Sequence, residues 1–537
     1  MKQIDKSLLY SNLYGTIELD DNNIVVDKAN SLFVATNGSD SSKGTYTSPF
    51  KTLQYALSKW SSGKTIYVRG GTYSLNSSIA PVSSGTSSSP CIIRNYPNEK
   101  AIFDCANLPS SESYCFNFNR KSNIYLIGID FIHMYQKSSS AAYVVLFNGG
   151  EENCILANCE ISESLCLDAY NALNSGGSLN DILESNTYGV NGTLSGIKVF
   201  GLESNPCNHI LIENCMVHDI ICGWSEGITV TANSEYVDII NCEASRCHNI
   251  GFDVAGNFGD YEVAEFDHAR YVSIINCKAS GNVSPNAWCA GIYVDGASNL
   301  NISGCESYGN AIGIEIGAEN DSTYNPSNIT VENSLIHDNS VKQLSVGGYS
   351  ADVGTVNSLN IRNNTIVNAT TSESSALCIN KVDGVEIYNN IISDLGSESY
   401  IIGGDLSNSY VKNVTFKNNV LYHKTKNDNV SLISFALVLY TANSFLALQN
   451  VINCQVVDPL LNVDFSLAEN SPCIDAGLAY SNKAYDFNGQ TRVSNGKIDI
   501  GAIEKILTED VIKAFYYNSD RIVKIYFGEN PIAKLNY

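Results

Sequence analysis

The chain is poor in positive charge. Its 537 residues include 32 Lys and Arg against 55 Asp and Glu, which gives a formal net charge of −23. Nucleic acids and anionic membranes carry the same sign of charge, so this composition argues against both as partners. A polyanionic sugar would need a metal ion or a local basic patch in order to bind. The sequence also contains no apolar run long enough to span a membrane.

Paired metal-binding cysteines and a secretory leader are absent as well. The 17 cysteines include no Cys-x-x-Cys pair, and the chain opens with the polar letters MKQIDKS. Without an apolar signal segment we expect a cytoplasmic protein, with a virion or cell surface as the alternative location. Four cysteines recur in one slot of a repeat, which later holds Ser or Asn: Cys215, Cys242, Cys277, Cys305, Ser334, Asn364, Asn390 and Asn419. This pattern predicts reduced, structural thiols at a turn, and neither a metal site nor a cofactor.

Two short phrases alternate along the middle of the chain. The first reads GITVT at 227–231, GFDVA at 251–255, GIYVD at 291–295 and GIEIG at 313–317. The second reads ILIENC at 210–215, VDIINC at 237–242, VSIINC at 272–277 and LNISGC at 300–305. Strand-like phrases that recur every ~20–40 residues predict a solenoid of stacked β-coils.

The pattern divides the chain into three parts. Residues 1–31 show little periodicity and predict a loose N-terminal extension, and residues 32–504 predict the solenoid. Apolar spacing at 48–60 indicates an amphipathic helix that covers the first coil, because an uncovered end would expose strand edges. The Ser-, Asn- and Gly-rich stretch 161–195 predicts a long loop. Residues 505–537 predict a small β-hairpin module.

Strand alternation separates buried from outward positions. The residue that follows each glycine faces the core, so the next residue faces outward. One outward column then reads Lys198, Thr229, Asp253, Tyr293, Glu315 and Ser345, and the next contains Asp295, with Glu319 just beyond. Carboxylates that crowd each other separate their pKa values, so that one can hold a proton while another stays ionised. The spacing of such a pair would fit a retaining or an inverting glycosidase.

The lid helix, the Asn-Asn and Asn-Cys turns and the repeat spacing resemble right-handed parallel β-helix proteins of the pectate-lyase-like superfamily. Four motifs are similar to bacterial carbohydrate-active members: DHAR at 267–270, GIYVDG at 291–296, GIEIGAE at 313–319 and VGGY at 346–349. Among these members the chain resembles the retaining β-xylosidases of glycoside hydrolase family 120. The fold implied is all-β, with an N-terminal capping helix and a small C-terminal β module.

The resemblance implies a glycoside hydrolase that acts on a neutral oligosaccharide such as a xyloside and needs no cofactor. It makes Asp295 the nucleophile and Glu319 the preferred acid/base, with Glu315 as the rival. The candidate substrate-binding residues, chosen for hydrogen bonding to sugar hydroxyls, for holding a carboxylate in place or for stacking on sugar faces, are Asp253, Asp267, Arg270, Trp288 and Tyr293.

Two other functions compete with this one. A Ca²⁺-dependent polysaccharide lyase would use the carboxylates to hold the cation, with Lys198 or Arg270 as the base. The absence of Lys and Arg from the outward columns between 227 and 317 argues against it. A phage or surface glycan-binding spike is also compatible with the sequence. The oligomeric state does not follow from any of these patterns.

Overall fold

A computed structural model gives the structure of the protein. It describes residues 2–13, 19–259, 261–319, 325–368, 375–396, 400–426, 429–479, 485–493 and 496–505, together with the backbone of three strands between 515 and 533.

The described chain winds through three long parallel sheets, and each coil adds one strand to each sheet in turn. The first sheet has 14 strands: Ser31–Val34, Thr65–Val68, Cys91–Asn95, Ile124–Ile127, Glu152–Ala157, Cys207–Glu213, Ser234–Ile240, Arg270–Ile275, Ser298–Ser303, Ser327–Glu332, Val356–Arg362, Val382–Tyr388, Val411–Lys417 and Val451–Ile452. The second has 13: Gly71–Ser74, Ala101–Asp104, Ile129–Ile132, Glu160–Leu165, Met216–Ile221, Glu243–Cys247, Lys278–Ser280, Glu306–Tyr308, Leu335–His337, Thr365–Asn368, Ile391–Asp394, Val420–His423 and Gln455–Val456.

The third sheet has 12 strands and carries the glycine phrases. Its strands are Tyr114–Asn117, Ala142–Phe147, Leu194–Gly201, Ile228–Ala232, Phe252–Ala255, Ala290–Asp295, Ile312–Gly317, Lys342–Val346, Leu377–Ile379, Ile402–Gly403, Ile433–Phe435 and Val438–Tyr440. The last of these pairs antiparallel to its neighbour. The arrangement confirms the predicted all-β parallel β-helix.

Apolar side chains from all three sheets fill the interior in one continuous core. The residues that follow the repeated glycines, Ile228, Phe252, Ile292 and Ile314, are all 0% exposed. Burial of this apolar surface is the main favourable term in the folding free energy. It also fixes the strand register, because a slip by one residue would turn these side chains out to solvent.

The helices in the described residues are short: Leu53–Lys59, Leu167–Asn174, Leu179–Leu183 and Ala442–Leu446, with 3₁₀ turns at Lys6–Leu8, Asp21–Asn23 and Ala264–Phe266. None of the described helices is long and apolar enough to cross a membrane. The first helix is the predicted lid, and the hydroxyl of Thr52 caps it by accepting the N–H of Tyr55. The expectation of a loop at 161–195 was wrong, because two of these helices lie within that stretch.

The slot that exchanges Cys for Ser or Asn forms a hydrogen-bonded ladder. The backbone N–H of Ser334 donates to Asn364 Oδ1 at 3.0 Å, that of Asn364 to Asn390 Oδ1 at 2.9 Å, and that of Asn390 to Asn419 Oδ1 at 2.9 Å. Each side chain therefore satisfies a buried backbone donor of the preceding coil, which would otherwise be left without a partner.

Cysteines fill the earlier positions of the same ladder. The N–H of Cys215 lies 3.4 Å from the sulfur of Cys242, and both thiols are buried and unpaired by disulfides. Burial raises the pKa of each of these thiols well above its usual value, so they stay protonated at neutral pH. A disulfide joins Cys105 to Cys115, a pairing that the sequence did not predict.

The N-terminal segment is packed against the first sheet, whereas the sequence predicted a loose extension. Asp238 Oδ1 accepts the N–H of Tyr10 at 2.8 Å, and Oδ2 of the same carboxylate accepts the N–H of Ser11 at 2.7 Å. Leu13 joins a small apolar cluster on the outer face of that sheet. At the other terminus, Phe515–Asn518, Arg521–Phe527 and Asn530–Ala533 form an antiparallel three-stranded sheet. The division of the chain at residues 31 and 504 stays a prediction.

Candidate active site

One outward column crosses successive coils of the 12-stranded sheet. Backbone pairing places its members side by side in the order Lys198, Thr229, Asp253, Tyr293, Glu315 and Ser345. This is the column that alternation along the repeated phrase predicted. In the neighbouring column Asp295 pairs with Gly317. Adjacent parallel strands lie about 4.8 Å apart, and an uncharged residue, Thr229 or Tyr293, separates the charged members Lys198, Asp253 and Glu315 from one another.

The repeated glycine interrupts the alternation of inward and outward residues. A Cβ added to Gly291 would lie 2.4 Å from the hydroxyl of Ser307 in the interior. The glycine and the residue that follows it therefore both face the core. The residue before the glycine and the residue two places after it then both face outward. Glu226 stands at that earlier position, next to Gly227, and lines the cleft. Simple alternation missed Glu226 for this reason.

A cleft of about 340 Å³ opens over the two columns. Five carboxylates line it: Glu226, Asp253, Asp295, Glu315 and Glu319. Its lining also includes three large side chains that are unusually exposed, namely Trp224 (61%), Phe258 (48%) and Trp288 (69%). Rings with polar neighbours suit ligands that have both apolar faces and hydroxyl groups, as sugars do. The structure thus brings together all three predicted catalytic residues with Asp253, Trp288 and Tyr293.

Asp295 and Glu319 are in direct contact. The backbone N–H of Glu319 donates to Asp295 Oδ1 at 2.8 Å, and the hydroxyl of Tyr293 donates to Glu319 Oε1 at 3.1 Å. Burial raises the pKa of Asp295 to about 7, and the negative charge of Glu319 adds to the effect. Asp295 is 4% exposed whereas Glu319 is exposed to solvent. The two carboxyl groups therefore lie in different environments, one buried and one open to solvent.

Glu315 lies one coil beyond Tyr293 and has its own partners. Burial raises the pKa of Glu315 to about 7, while the positive charge of Lys342 and a hydrogen bond from Ser345 oppose this rise. Glu315 therefore exchanges its proton with solvent near neutral pH. That property suits a group that donates or accepts a proton during a reaction.

A second acidic group occupies the other side of Tyr293. Burial, followed by the charges of Glu226 and Asp295, raises the pKa of Asp253 well above its usual value. Asp253 Oδ1 is buried without a hydrogen-bond partner, although Asp253 is 6% exposed as a whole. Glu226 is better satisfied, because its Oε2 accepts the hydroxyl of Thr229 at 2.8 Å and lies 3.8 Å from Lys198 Nζ. Asp253 is thus a proton-bearing group with an unused acceptor at the edge of the cleft.

Two of the predicted substrate-binding residues do not line the cleft. Arg270 begins a strand of the 14-stranded sheet, where its guanidinium pairs with Glu235 at 2.9 Å and donates to Asn233 at 3.0 Å. Asp267 Oδ2 accepts the N–H of Gly259 at 2.7 Å and so closes the loop that carries Phe258. The prediction that Asp267 and Arg270 belong to the substrate-binding set is corrected in this way: Arg270 does hold a carboxylate, but it is that of Glu235 and not one in the cleft. Asp267 and Arg270 instead fasten a wall of the cleft. Asp267 binds a backbone N–H of the loop, and Arg270 pairs with a residue of the preceding coil.

The five carboxylates of the cleft raise the question of a bound metal ion. Carboxylate oxygens are the ligands that Ca²⁺ prefers. Across the ranges that the structure describes, however, no three His, Cys, Asp or Glu side chains are grouped so that they could share one ion. The arrangement therefore does not fit a metal centre built from these residues alone.

Two family models match successive parts of the chain. The Pel9A-like right-handed β-helix region matches residues 32–193, and the right-handed β-helix region matches residues 190–370. The uncharacterized protein YwoF of Bacillus subtilis is 26% identical over 406 residues, which cover 73% of this chain and 80% of that protein. Pectate lyase PEL9 of Emericella nidulans is 40% identical over 80 residues, which cover 15% of this chain and 20% of that enzyme.

Solved structures with a similar course of the chain include pectate lyase Pel9A, with 16% identity over 94% of this chain and 100% of that one and a TM-score of 0.43. XylC in complex with xylose has 11% identity over 88% of this chain and 99% of that one, with a TM-score of 0.46. Together with the parallel coils described above, the two matches confirm the right-handed parallel β-helix part of the resemblance stated from the sequence motifs. The chain is a right-handed parallel β-helix protein similar to the pectate-lyase-like superfamily.

Proposed function

We propose that this protein is a glycoside hydrolase that acts on a neutral oligosaccharide such as a xyloside. The observation that carries the proposal is the contact between Asp295 and Glu319 in a cleft lined by exposed aromatic rings. A glycosidase needs one carboxyl group that donates a proton and a second that is ionised. Crowded carboxyl groups supply that combination, because the charge on one favours the proton on the other.

The reaction then follows the two-step course of a retaining glycosidase. In the reactive form Asp295 has lost the proton that its raised pKa of about 7 favours, and Glu319 carries one. Glu319 donates this proton to the glycosidic oxygen while the Asp295 carboxylate attacks the anomeric carbon, so that the sugar–oxygen bond breaks and a glycosyl ester of Asp295 forms. Glu319, now ionised, takes a proton from water, and the resulting hydroxide displaces Asp295. The retaining course is the one that the resemblance to family 120 implies, and the hydrogen bond from the Glu319 backbone N–H holds Asp295 Oδ1 beside that residue.

Glu315 remains the alternative proton donor. Substrates that differ in their leaving group distinguish the role of Glu315 from that of Glu319. Loss of a general acid costs about 10²–10⁴-fold in rate when the leaving group needs protonation. It costs much less for an aryl leaving group that departs as a stable anion. We therefore expect Glu319→Gln to lose far more activity on an unactivated disaccharide than on a dinitrophenyl glycoside. Glu315→Gln should lose activity on the two substrates by the same factor.

The proposal is tested by screening aryl glycosides against wild type, Asp295→Asn and Glu319→Gln. We expect turnover of at least one neutral glycoside and a loss of about 10³-fold or more in Asp295→Asn. Glu386→Gln serves as the matched control, because Glu386 is an exposed carboxylate on the 14-stranded sheet, where it pairs with Lys417. Full activity of the Asp295 variant would overturn the assignment.

A polysaccharide lyase is the second candidate, favoured by one observation. Lys198 heads the outward column and is the basic group that lies beside the acidic end of the cleft, where its charge lowers the raised pKa of Asp253. The match to the Pel9A-like model is consistent with it. A lyase would release unsaturated uronate products, detected by their ultraviolet absorbance, and would lose activity with a chelator. The poor fit of the described carboxylates to a shared cation weighs against this candidate.

A further inference from the structure

A second cavity, of about 520 Å³, lies beside the acidic cleft on the same face of the 12-stranded sheet. Its floor continues the registered strands of that sheet. Lys342 follows Ile312 in one column, and Cys378 follows Ser345 in the column that contains Glu315. All of these residues lie on strands that run parallel and in register, so the outward columns of the cleft continue into the second cavity.

Trp288 belongs to the lining of both cavities. Its side chain is 69% exposed, although large aromatic residues are usually more deeply buried. The loop that carries it is fastened to another segment, because Asn286 Nδ2 donates to the carbonyl oxygen of Gly189 at 2.7 Å. An exposed indole at the boundary between two cavities is suited to contact a ligand that passes from one to the other.

The second cavity differs from the first in charge. Five carboxylates line the cleft, whereas among the residues that the structure describes the charged ones lining the second cavity are Lys342 and Asp405. Lys342 interacts with both Glu315 and Asp405, so its positive charge is already balanced by carboxylates. An anionic sugar would gain little from this lysine. A neutral sugar ring could use Trp288 and Tyr400, which also lines the cavity, together with hydroxyl and backbone groups.

We propose that the second cavity binds further neutral sugar units of the chain that is cut in the acidic cleft, so that the preferred substrate is an oligosaccharide that passes Trp288. The inference rests on the proposed hydrolase and adds to it a direction and a chain-length preference. The bond that is cut lies over Asp295, and the additional sugar units extend toward the C-terminal coils.

The test measures kcat/KM for an aryl xyloside and for the series from xylobiose to xylohexaose. We expect kcat/KM to rise with chain length in the wild type. Ser340 is exposed at the rim of the second cavity, so Ser340→Trp places a bulky ring there without touching the carboxylates. This variant should lower the ratio of kcat/KM for xylohexaose to that for the aryl xyloside at least about tenfold. Ser87→Trp, at an exposed loop position outside both cavities, should leave the ratio unchanged.

Trp288→Ala provides the second variant, since it removes the indole that lines both cavities and does not block either of them. It should reduce the advantage of xylohexaose over xylobiose by about three- to tenfold. An unchanged chain-length profile in both variants, or a wild type that prefers the aryl xyloside to every oligosaccharide, would overturn the inference while leaving the hydrolase intact.

Binding distinguishes failure of the inference from failure of the proposed function. If the wild type turns over no glycoside, the hydrolase proposal fails. Calorimetric titration with xylo-, cello- and manno-oligosaccharides of increasing length then decides the inference alone. Affinity that grows with length and falls about tenfold in Ser340→Trp supports it. Absence of binding by all three neutral series overturns it.

Discussion

The raised pKa of Asp295 predicts that this residue destabilises the folded protein at neutral and alkaline pH. A carboxyl group whose pKa is raised from 3.8 to about 7 by folding binds its proton more tightly in the folded chain. Below pH 3.8 both states are protonated and the group has no effect. As the pH rises from about 3.8 to about 7 the unfolded chain alone loses the proton, so stability falls by about 1.36 kcal/mol per pH unit. Above pH 7 the loss is constant.

Asp295→Asn removes this titration but keeps a side-chain oxygen that can accept the N–H of Glu319. Between pH 5 and pH 7 the stabilising effect of the substitution should therefore grow by about 2.7 kcal/mol, that is, by two pH units of the slope. Unfolding entropy is about 2.1 cal/mol/K per residue, or roughly 1.1 kcal/mol/K for 537 residues that melt together. The corresponding increase in the Tm difference between variant and wild type is about 2–3 °C.

The assay is thermal unfolding of wild type and Asp295→Asn at pH 5 and at pH 8, followed by circular dichroism. Asp219→Asn gives a control of opposite sign. Although burial acts against it, hydrogen bonds from His218 and Arg246 lower the pKa of Asp219 below its usual value. Its ionised form therefore stabilises the fold above the unfolded pKa, and this variant should melt below wild type at both pH values. A Tm difference for Asp295→Asn that is the same at pH 5 and pH 8 would refute the reasoning.

Three further predictions concern the scaffold and its electrostatics. Gly291→Ala should destabilise the protein by about 1–3 kcal/mol in urea unfolding, because the added Cβ would lie 2.4 Å from the nearest interior oxygen, and an unchanged midpoint would contradict this. Asn390→Ala should lower stability by about 1–3 kcal/mol in the same assay, since it leaves the buried N–H of Asn364 without its acceptor, whereas stability equal to wild type would show that the ladder is dispensable. Lys342→Met should move the pKa of Glu315 above about 7, seen as an upward shift in the pH dependence of kcat/KM, and a downward shift would be inconsistent with the proposed interaction.

The repeat made most of the fold and the centre of the site predictable. Ile228 and Phe252 are buried and Asp253 and Glu315 share one column, as the alternation of the phrase requires. These positions follow from the geometry of a strand alone. Glu226 could not be found by the same rule, because the inward glycine beside it breaks the alternation. A signal was nevertheless present in the glycine itself, which marks the place where the period changes.

Two features could not be predicted from the sequence: the helices between 161 and 195, and the surroundings of Arg270. Each of the two helices does pack apolar residues on the core, such as Ala169 in Leu167–Asn174 and Ile182 in Leu179–Leu183. They are only 8 and 5 residues long, which is shorter than the stretch over which helical periodicity can be recognised. Arg270 looks like a cleft residue in the chain because a site loop precedes it. Its strand, however, belongs to a different sheet, and its partner Glu235 comes from the coil before. Contacts between coils depend on where each loop returns, which local patterns do not determine.

The packed N-terminal segment has a consequence for the order of folding. The carbonyl oxygen of Leu8 accepts hydrogen bonds from Ser273 and from Asn301, which is 293 residues further along the chain. On a ribosome these first residues leave the exit tunnel long before the coil that receives them has been made. The coils can add one after another through neighbouring contacts. This segment is synthesised before the coils that receive it, so it must wait in solution and docks as a late step, with the carboxylate of Asp238 exposed until it arrives.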